Sequence, residues 1–487
     1  MLSLRIFIKD KKNWMQAALW VTFFFITAIL ITLCFDEGVD LDEAYSYTTV
    51  RGNSLLGIGR DILAANDTDV PLYYIGLYLW TRVFGESFLA CRLFSVAGTV
   101  ASMLLGVTVI RRLWGNRTSF LFLLFSGLTP AMIHVGVNIR MYSWTIFLIT
   151  LCALEIYFLV REPDRGRLWF ALSLTTFAGL FSHYFTAFSY MFLYLWLLLE
   201  MIHRKQRGIW KLFLCGGIPL IPTAVWFAAS GILQFAGSEN GASYVQNISW
   251  ETFFSFLFFT RLEYSVLLGS GVFLLALFAL FGLRKKYGGT EWRFIFFSLL
   301  NMPCSYVAAG VAASLGSHFF IPRHVMHSIG LLWLAMAIIL SRVNLPTYGF
   351  SILFTAVMAG AAYRAEYALS YDTTPYLEDT MKFAADHFQE GDIVIYNADG
   401  RFGMLYSCYL PELTYLCFWE LDDPEEMLRE AEGERVWFFQ SQERWFSAEI
   451  IERFGITYEN LGHYGFQIMD GSTEFDVLRL EIRGEAE

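Results

Sequence analysis

Five carboxylates, Asp36, Glu37, Asp40, Asp42 and Glu43, follow directly on a long apolar run, Trp14–Phe35. Taken alone, such a group reads as a solvated acidic loop. Its neighbours supply a second reading. Asp42-Glu43-Ala44-Tyr45-Ser46 lies within a turn or two of a membrane surface, ahead of an amphipathic stretch and an aromatic segment opening Pro71-Leu72-Tyr73-Tyr74. A carboxylate held there suits general-base work on a hydroxyl delivered from outside, with a lipid-linked reaction partner lying in the membrane. Arg140, Arg323 and His324 fall at the ends of other apolar runs, where they could neutralise a lipid phosphate. Arginine is the better ligand, because a guanidinium meets two phosphate oxygens at once; the competing reading is an arginine snorkelling to the interface. His183 and Tyr184 sit between two short apolar runs, where a histidine is more often a hydrogen-bonded structural residue. His318, His324 and His327 could suggest a metal cluster, but 324 and 327 share a helix face that simply lines a cavity.

A membrane must position these residues. The chain has 487 residues, 56% apolar and only 16% charged, against roughly 25% charged in soluble domains. Apolar runs of about twenty residues, the length that crosses ~30 Å of hydrocarbon, recur through the first 365 positions. They are Trp14–Phe35, Phe88–Ile110, Thr118–Val137, Met141–Val160, Leu168–Ser182, Tyr184–Met201, Trp210–Ser230, Leu262–Leu283, Trp292–Leu315, Phe319–Leu340 and Pro346–Tyr363. Eleven spans are therefore expected. Basic clusters sit at every second connection, from Arg5/Lys9/Lys11/Lys12 to Arg284/Lys285/Lys286 and Arg342. The positive-inside rule puts these, and the N-terminus, in the cytoplasm. Loops 36–86 and 231–261 and the tail then face outward. Pro71–Phe84 is too short to span comfortably, and spanning would invert every later loop, so it reads as an interfacial helix on the outer leaflet. The first run is long and lacks a small-residue cleavage site, as expected of an anchor rather than a signal peptide.

From residue 372 the chain carries 26 acidic and 8 basic residues, whereas the rest carries 27 basic and 19 acidic. This asymmetry suggests two compartments and argues against nucleic acid as a partner. In the tail, Leu377–Phe388, Pro424–Glu432 and Ala448–Phe454 read as helices, and Ile393–Tyr396, Val436–Gln440 and Asp476–Ile482 as strands. The expected fold class is an all-α polytopic membrane domain over 1–365, with the acidic motif in outer loop 36–86, followed by a small soluble α/β domain over 366–487. Five cysteines lie in apolar runs; Cys408 and Cys417 lie in the tail and could pair if it is extracytoplasmic.

The ordered landmarks Asp42-Glu43-Ala44, Pro71-Leu72-Tyr73-Tyr74, Arg92-Leu93-Phe94-Ser95, Arg111-Arg112-Leu113-Trp114-Gly115, Arg140-Met141-Tyr142, Ser182-His183-Tyr184-Phe185 and Pro322-Arg323-His324 resemble those of GT-C-fold glycosyltransferases. That superfamily includes the protein O-mannosyltransferases and the bacterial aminoarabinose transferases, and is similar to bacterial glycosyltransferase family 39. The resemblance covers roughly residues 36–330; the tail matches nothing in it. It implies inverting transfer of a sugar from a polyprenyl-phosphate donor to a protein, lipid or surface-glycan acceptor at the outer face of the cell membrane. Asp42 aligns with the family's catalytic acidic residue, which would act as the base, and Glu43 is its neighbour. Tyr142, His183 and Tyr184 enter as further site candidates through the same landmarks. Relatives often carry a glutamate where this chain has Asn138, and His-Pro-Pro where it has Asp69-Val70-Pro71. A neutral amide is a poorer ligand for a hard cation, so no metal or other cofactor is expected, with Asp69 as a partial replacement for the missing charge and a divalent cation as the alternative. Two other functions stay open. A lipid-linked sugar transporter would want mid-helix charges, and none is expected from the sequence; an assembly or sensor protein would use the tail to bind a partner.

Overall fold

The computed structural model of the chain describes residues 2–35, 38–64, 69–230, 253–254, 262–314, 322–343, 347–370, 375–420, 425, 428–429, 434–443, 445–468 and 471–483. Asp36, Glu37, His318 and most of Pro424–Glu432 lie outside them. The chain divides into two units, Met1–Cys34 with Gly52–Ala365, and Phe35–Arg51 with Glu366–Glu487.

The first unit is helical: α1 (Leu2–Leu33), α3 (Leu55–Ala64), α4 (Pro71–Phe84), α5 (Phe88–Leu105), α6 (Arg111–Trp114), α7 (Asn116–Leu128), α8 (Pro130–Val137), α9 (Tyr142–Leu159), α10 (Gly166–Leu180), α11 (Thr186–His203), α12 (Ile209–Ala229), α13 (Leu262–Gly282), α14 (Gly289–Ala312), α15 (Ile329–Arg342) and α16 (Thr347–Ser370). The element α2 (Leu41–Val50) belongs to the second unit. Among the described residues seven helical stretches are long and apolar enough to cross a membrane, or eight when α7 and α8 count as one bent span. The remaining three of the eleven expected runs form α10, of 15 residues, and the apolar stretches Ser270–Gly282 of α13 and Ser351–Tyr363 of α16. The chain is thus a multi-pass membrane protein. Run Thr118–Val137 breaks at Thr129, which is extended (φ −70°, ψ 145°) because the ring of Pro130 disfavours helix at the preceding residue; the two halves meet at 62°.

Local chemistry sets the ends of the helices near the site. Pro71 starts α4, where its missing N–H is no loss, and Gly85 ends it at φ 89°, a conformation that favours glycine. Ser87 Oγ accepts from the Ala90 N–H to cap α5. Helices α5 and α9 pack closely through Gly98, where an added Cβ would lie 2.7 Å from Ser143 Oγ and 2.9 Å from Trp144 N. Trp144 Nε1 also donates to Phe94 O at 2.9 Å. The start of α9 is thereby fixed. At α11, Glu200 is buried between Arg204 (3.3 Å) and Arg293, and Arg342 pairs with Glu291 at 3.3 Å. One charge departs from the expectation that none lies mid-helix. Glu155 is buried in α9 and accepts from Thr175 Oγ1 of α10 at 3.1 Å, a hydroxyl that makes its burial tolerable.

The second unit has a five-stranded sheet, β1 (Ile393–Tyr396), β2 (Thr414–Cys417), β3 (Val436–Gln440), β4 (Thr457–Ile468) and β5 (Gly471–Glu481), in the order β2-β1-β3-β5-β4. β2, β1 and β3 are parallel; β5 and β4 are antiparallel. Strand alternation builds two cores. Val394, Tyr396, Trp437, Phe439, Phe475 and Val477 share one with helices α17 (Pro375–His387) and α18 (Arg401–Tyr409). Ile395, Val436, Phe438, Leu478 and Leu480 share the other with Leu428 and helix α19 (Ala448–Arg453). This is a small mixed α/β domain. No disulfide joins Cys408 and Cys417.

Gly98→Ala should lower the thermal unfolding temperature of the detergent-solubilised protein, costing about 1–3 kcal/mol, because a methyl there forces α5 from α9. Gly59→Ala, with open space around its Cβ, should be neutral or stabilising.

Candidate active site

In the membrane unit the turn between α8 and α9 presents Arg140. The Asn138 N–H ends α8 on His134 O (3.3 Å), and the Arg140 N–H donates to Asn138 O (2.7 Å). The guanidinium then enters a buried site. Arg140 Nη1 lies 3.2 Å from Asp69 Oδ2 and donates to Tyr74 Oη at 3.1 Å, and Tyr74 donates its own phenolic proton to Asp69. Asp69 is 5% exposed and Tyr74 fully buried. Its backbone is held too: Trp226 Nε1 of α12 donates to Asp69 O at 3.3 Å, and the Leu72 N–H to Phe181 O at 3.0 Å. Asp69, which sequence offered as a replacement for a missing charge, is therefore the counter-ion of Arg140.

His183 lies in the turn between α10 and α11. Its N–H donates to Gly179 O (3.0 Å), and Thr186 returns both its N–H (3.1 Å) and hydroxyl (2.7 Å) to His183 O. The ring is buried against Tyr142 (5.7 Å between centroids), His324 (5.4 Å), Phe185 (5.7 Å) and His327 (6.1 Å). Its Nδ1 has no hydrogen-bond partner among the described residues. Burial, then His327 and the charges of Arg140 and Arg323, push the pKa of His183 well below the ordinary histidine value. The imidazole is thus neutral, with a donor and a lone pair to offer, beside two cations. Such an arrangement suits an anion: the arginines supply charge and the histidine a directed hydrogen bond.

The segment Pro322–Ser328 is a 3₁₀ helix that brings Arg323, His324 and His327 to this place. Three-residue periodicity puts 324 and 327 on one side. His327 Nδ1 faces His324 O (2.8 Å) and so carries the proton, leaving Nε2 to accept from Ser189 Oγ (2.9 Å). Ser189 Oγ also meets Ser305 Oγ (3.1 Å) and Ser328 Oγ (2.7 Å), and Asn301 Nδ2 donates to Ser189 O (3.1 Å). This network supports the site from below. Sequence reading missed it and the hydroxyl of Tyr74; single serines on apolar helices give no local signal, whereas Tyr74 stands inside a landmark already singled out. The structure gathers Asp69, Arg140, Tyr142, His183, Arg323 and His324. Tyr184 turns instead against Phe227 of α12, edge-on at 5.1 Å. Among the described residues no three His, Cys, Asp or Glu side chains are grouped as metal ligands.

Asp42 and Glu43 stand on α2, in the other unit. Asp40 caps this helix: its Oδ1 accepts from the Asp42 N–H at 2.8 Å, and Glu43 Oε2 accepts back from the Asp40 N–H at 3.3 Å. The reciprocal pair is a capping box. Glu43 is fully buried and Asp42 half-buried in the first turn, where the helix dipole favours a carboxylate.

The chain is similar in structure to ArnT from Cupriavidus metallidurans bound to undecaprenyl phosphate, with a TM-score of 0.58 and 13% identity over 96% of this chain and 99% of that one. The apo state of ArnT matches with a TM-score of 0.56 and 13% identity, over 96% and 98% of the two chains. No family model and no curated protein matches the sequence. The likeness assigns the GT-C membrane fold.

The neutral histidine predicts a pH signature. The unfolded chain takes up a proton at His183 below about pH 6.5 and the folded protein does not, so stability falls as pH drops through that value. The loss should approach about 1.4 kcal/mol per pH unit well below it. In His183→Gln the decline in thermal unfolding temperature from pH 7 to pH 5 should be shallower than in the parent; an unchanged slope would show that His183 is protonated in the folded state.

Proposed function

We propose that the protein is an inverting glycosyltransferase that moves a sugar from a polyprenyl-phosphate donor to an acceptor at the outer face of the cell membrane. The observation that carries this reading is the gathering of Arg140, held by Asp69 and Tyr74, with the buried His183, which packs on Tyr142 and on His324 of the segment that also carries Arg323. A phosphate oxyanion fits that combination, and ArnT, which shares the fold, has been crystallised bound to undecaprenyl phosphate.

In this reading Asp42 takes the proton of the acceptor hydroxyl. The hydroxyl oxygen attacks the anomeric carbon from the face opposite the phosphate, and the carbon–oxygen bond to the phosphate breaks with its electron pair. The departing polyprenyl phosphate needs no acid, only positive charge, which Arg140 and Arg323 supply while His183 donates a hydrogen bond. Asp69 and Tyr74 hold Arg140 in its rotamer. Guanidinium charge fills the place a divalent cation would take, so chelation should leave the rate unchanged. Glu43 closes the capping box and orients α2. The acceptor class is protein, lipid or surface glycan, at a membrane site that excludes nucleic acid.

Asp42→Asn keeps shape and hydrogen bonding but removes the basic lone pair. General-base contributions are typically ~10²–10⁴-fold, so transfer by the purified variant should fall by that factor while donor binding persists. Arg140→Leu and Arg323→Leu should instead raise the donor KM. Glu43→Gln should keep measurable activity, because glutamine also closes a capping box. Activity of Asp42→Asn within a few-fold of the parent would remove Asp42 from the role.

In this reading, which the basic clusters at alternate connections support, the C-terminal unit lies outside the cell. A protease added to intact cells should cut it, and protection until the membrane is broken would reverse the orientation.

A further inference from the structure

We propose that the C-terminal α/β domain is the positioning element for the acidic helix, acting through the face of α18 that carries Met404, Leu405 and Cys408. This inference rests on the assignment of Asp42 as the base.

The case starts from the length of α2. Ten residues make less than three turns, and helices shorter than ~12–15 residues are marginal in water without tertiary packing. The capping box holds its first turn only. Its buried residues, Glu43, Ala44, Ser46, Tyr47 and Val50, recur at helical spacing and define one packed face. Within its unit, α2 packs on α18. Although sequence order sets Phe35–Arg51 beside the membrane helices, it groups with Glu366–Glu487.

Helix α18 is itself immobilised. Phe402, Tyr406 and Tyr409 lie on its sheet-facing side: Tyr409 stacks on Phe466 at 4.8 Å, and Tyr406 meets Tyr396, Phe439 and Phe475 at 5.4–5.6 Å. Gly403 is seated under Tyr396, whose hydroxyl would stand 2.5 Å from an added Cβ. Leu405 is fully buried yet is absent from both sheet cores. It lies off the sheet-facing side, toward Arg401, Met404 and Cys408, as a contact for α2 must. The sheet thus fixes α18, and α18 gives α2 the surface its own length cannot supply.

The test uses the full chain in lipid nanodiscs and reads two quantities. Leu405→Ala should speed amide hydrogen exchange across Leu41–Val50 tenfold or more, with β1 and β3 still protected. It should lower kcat for transfer tenfold or more with the donor KM within twofold, and Leu405→Met should restore both. Val436→Ala, in the core on the other face of the sheet, should leave α2 exchange and kcat unchanged. Where Leu405→Ala exposes the strands as well, Met404→Ala, a half-buried change on the same side, takes its place with the same expectations. Unchanged α2 exchange, or faster exchange with unchanged kcat, would overturn the proposal. The exchange arm needs no transfer activity. If Asp42→Asn were fully active the function assignment would fail on its own, while the mechanical link between α18 and α2 would still be read.

Discussion

The buried contact among Arg140, Asp69 and Tyr74 is the interaction on which the membrane site depends. A guanidinium buried at a helix start is costly unless its charge is answered. Asp69 answers it, at 3.2 Å, and the Tyr74 hydroxyl bonds both partners. These three groups come from the approach to α4, from α4 itself and from the turn before α9. The pair therefore closes the distance between segments that share no local sequence. It also fixes the guanidinium of Arg140 in the cluster that holds His183, whose ring lies 5.7 Å from Tyr142 and 5.4 Å from His324.

Much of this was legible in the sequence. Among the described residues the apolar runs proved helical, and hydrophobicity alone marks such runs, because every backbone polar group in hydrocarbon must be bonded within the segment. Helix length was less legible, since the break at Thr129-Pro130 and the 15 residues of α10 depend on local backbone choices inside uniformly apolar stretches. The landmark residues Arg140, Tyr142, His183, Arg323 and His324 gather in one cluster. Tyr184, next to His183 in the chain, points to Phe227 instead, which no pattern reveals. Nor did sequence show Glu155, because its partner hydroxyl sits on a different helix. In the tail, β1 and β3 stood out as short apolar runs. β4 did not, since Asn460, Gly462 and Gly465 dilute it and a bulge at Asn460/His463 shifts its register; pairing with β5 makes it a strand.

The hardest feature to read was the company kept by Asp42. Residues 35–51 lie between the first membrane helix and α3 in sequence, and nothing local ties them to a helix that begins at Arg401. Packing between elements so distant is a long-range contact, written in the complementarity of two surfaces rather than in periodicity. The two units consequently differ in how they secure their chemistry. The membrane unit uses buried ion pairing and aromatic contact, strong in a low-dielectric setting. The C-terminal unit secures α2 with a capping box and helix–helix packing.

In the proposed reaction that division has a chemical logic. A base must keep a lone pair available at working pH, so a carboxylate serves best half-buried at a helix N-terminus, where the dipole favours its ionised form, rather than sealed in an apolar core that would raise its pKa. Asp42 lies half-buried in the first turn of α2. A phosphate-binding group has the opposite requirement. It gains from desolvation, because its attraction for the leaving group grows as water is excluded, and Arg140 is only 11% exposed at its side chain. One small compact domain could not easily provide both environments. In the proposed reaction the cations belong to the membrane bundle and the base to a helix carried on an α/β sheet, so each requirement is met separately, and the cost is that α2 must be held by a domain whose sequence bears no motif of its own.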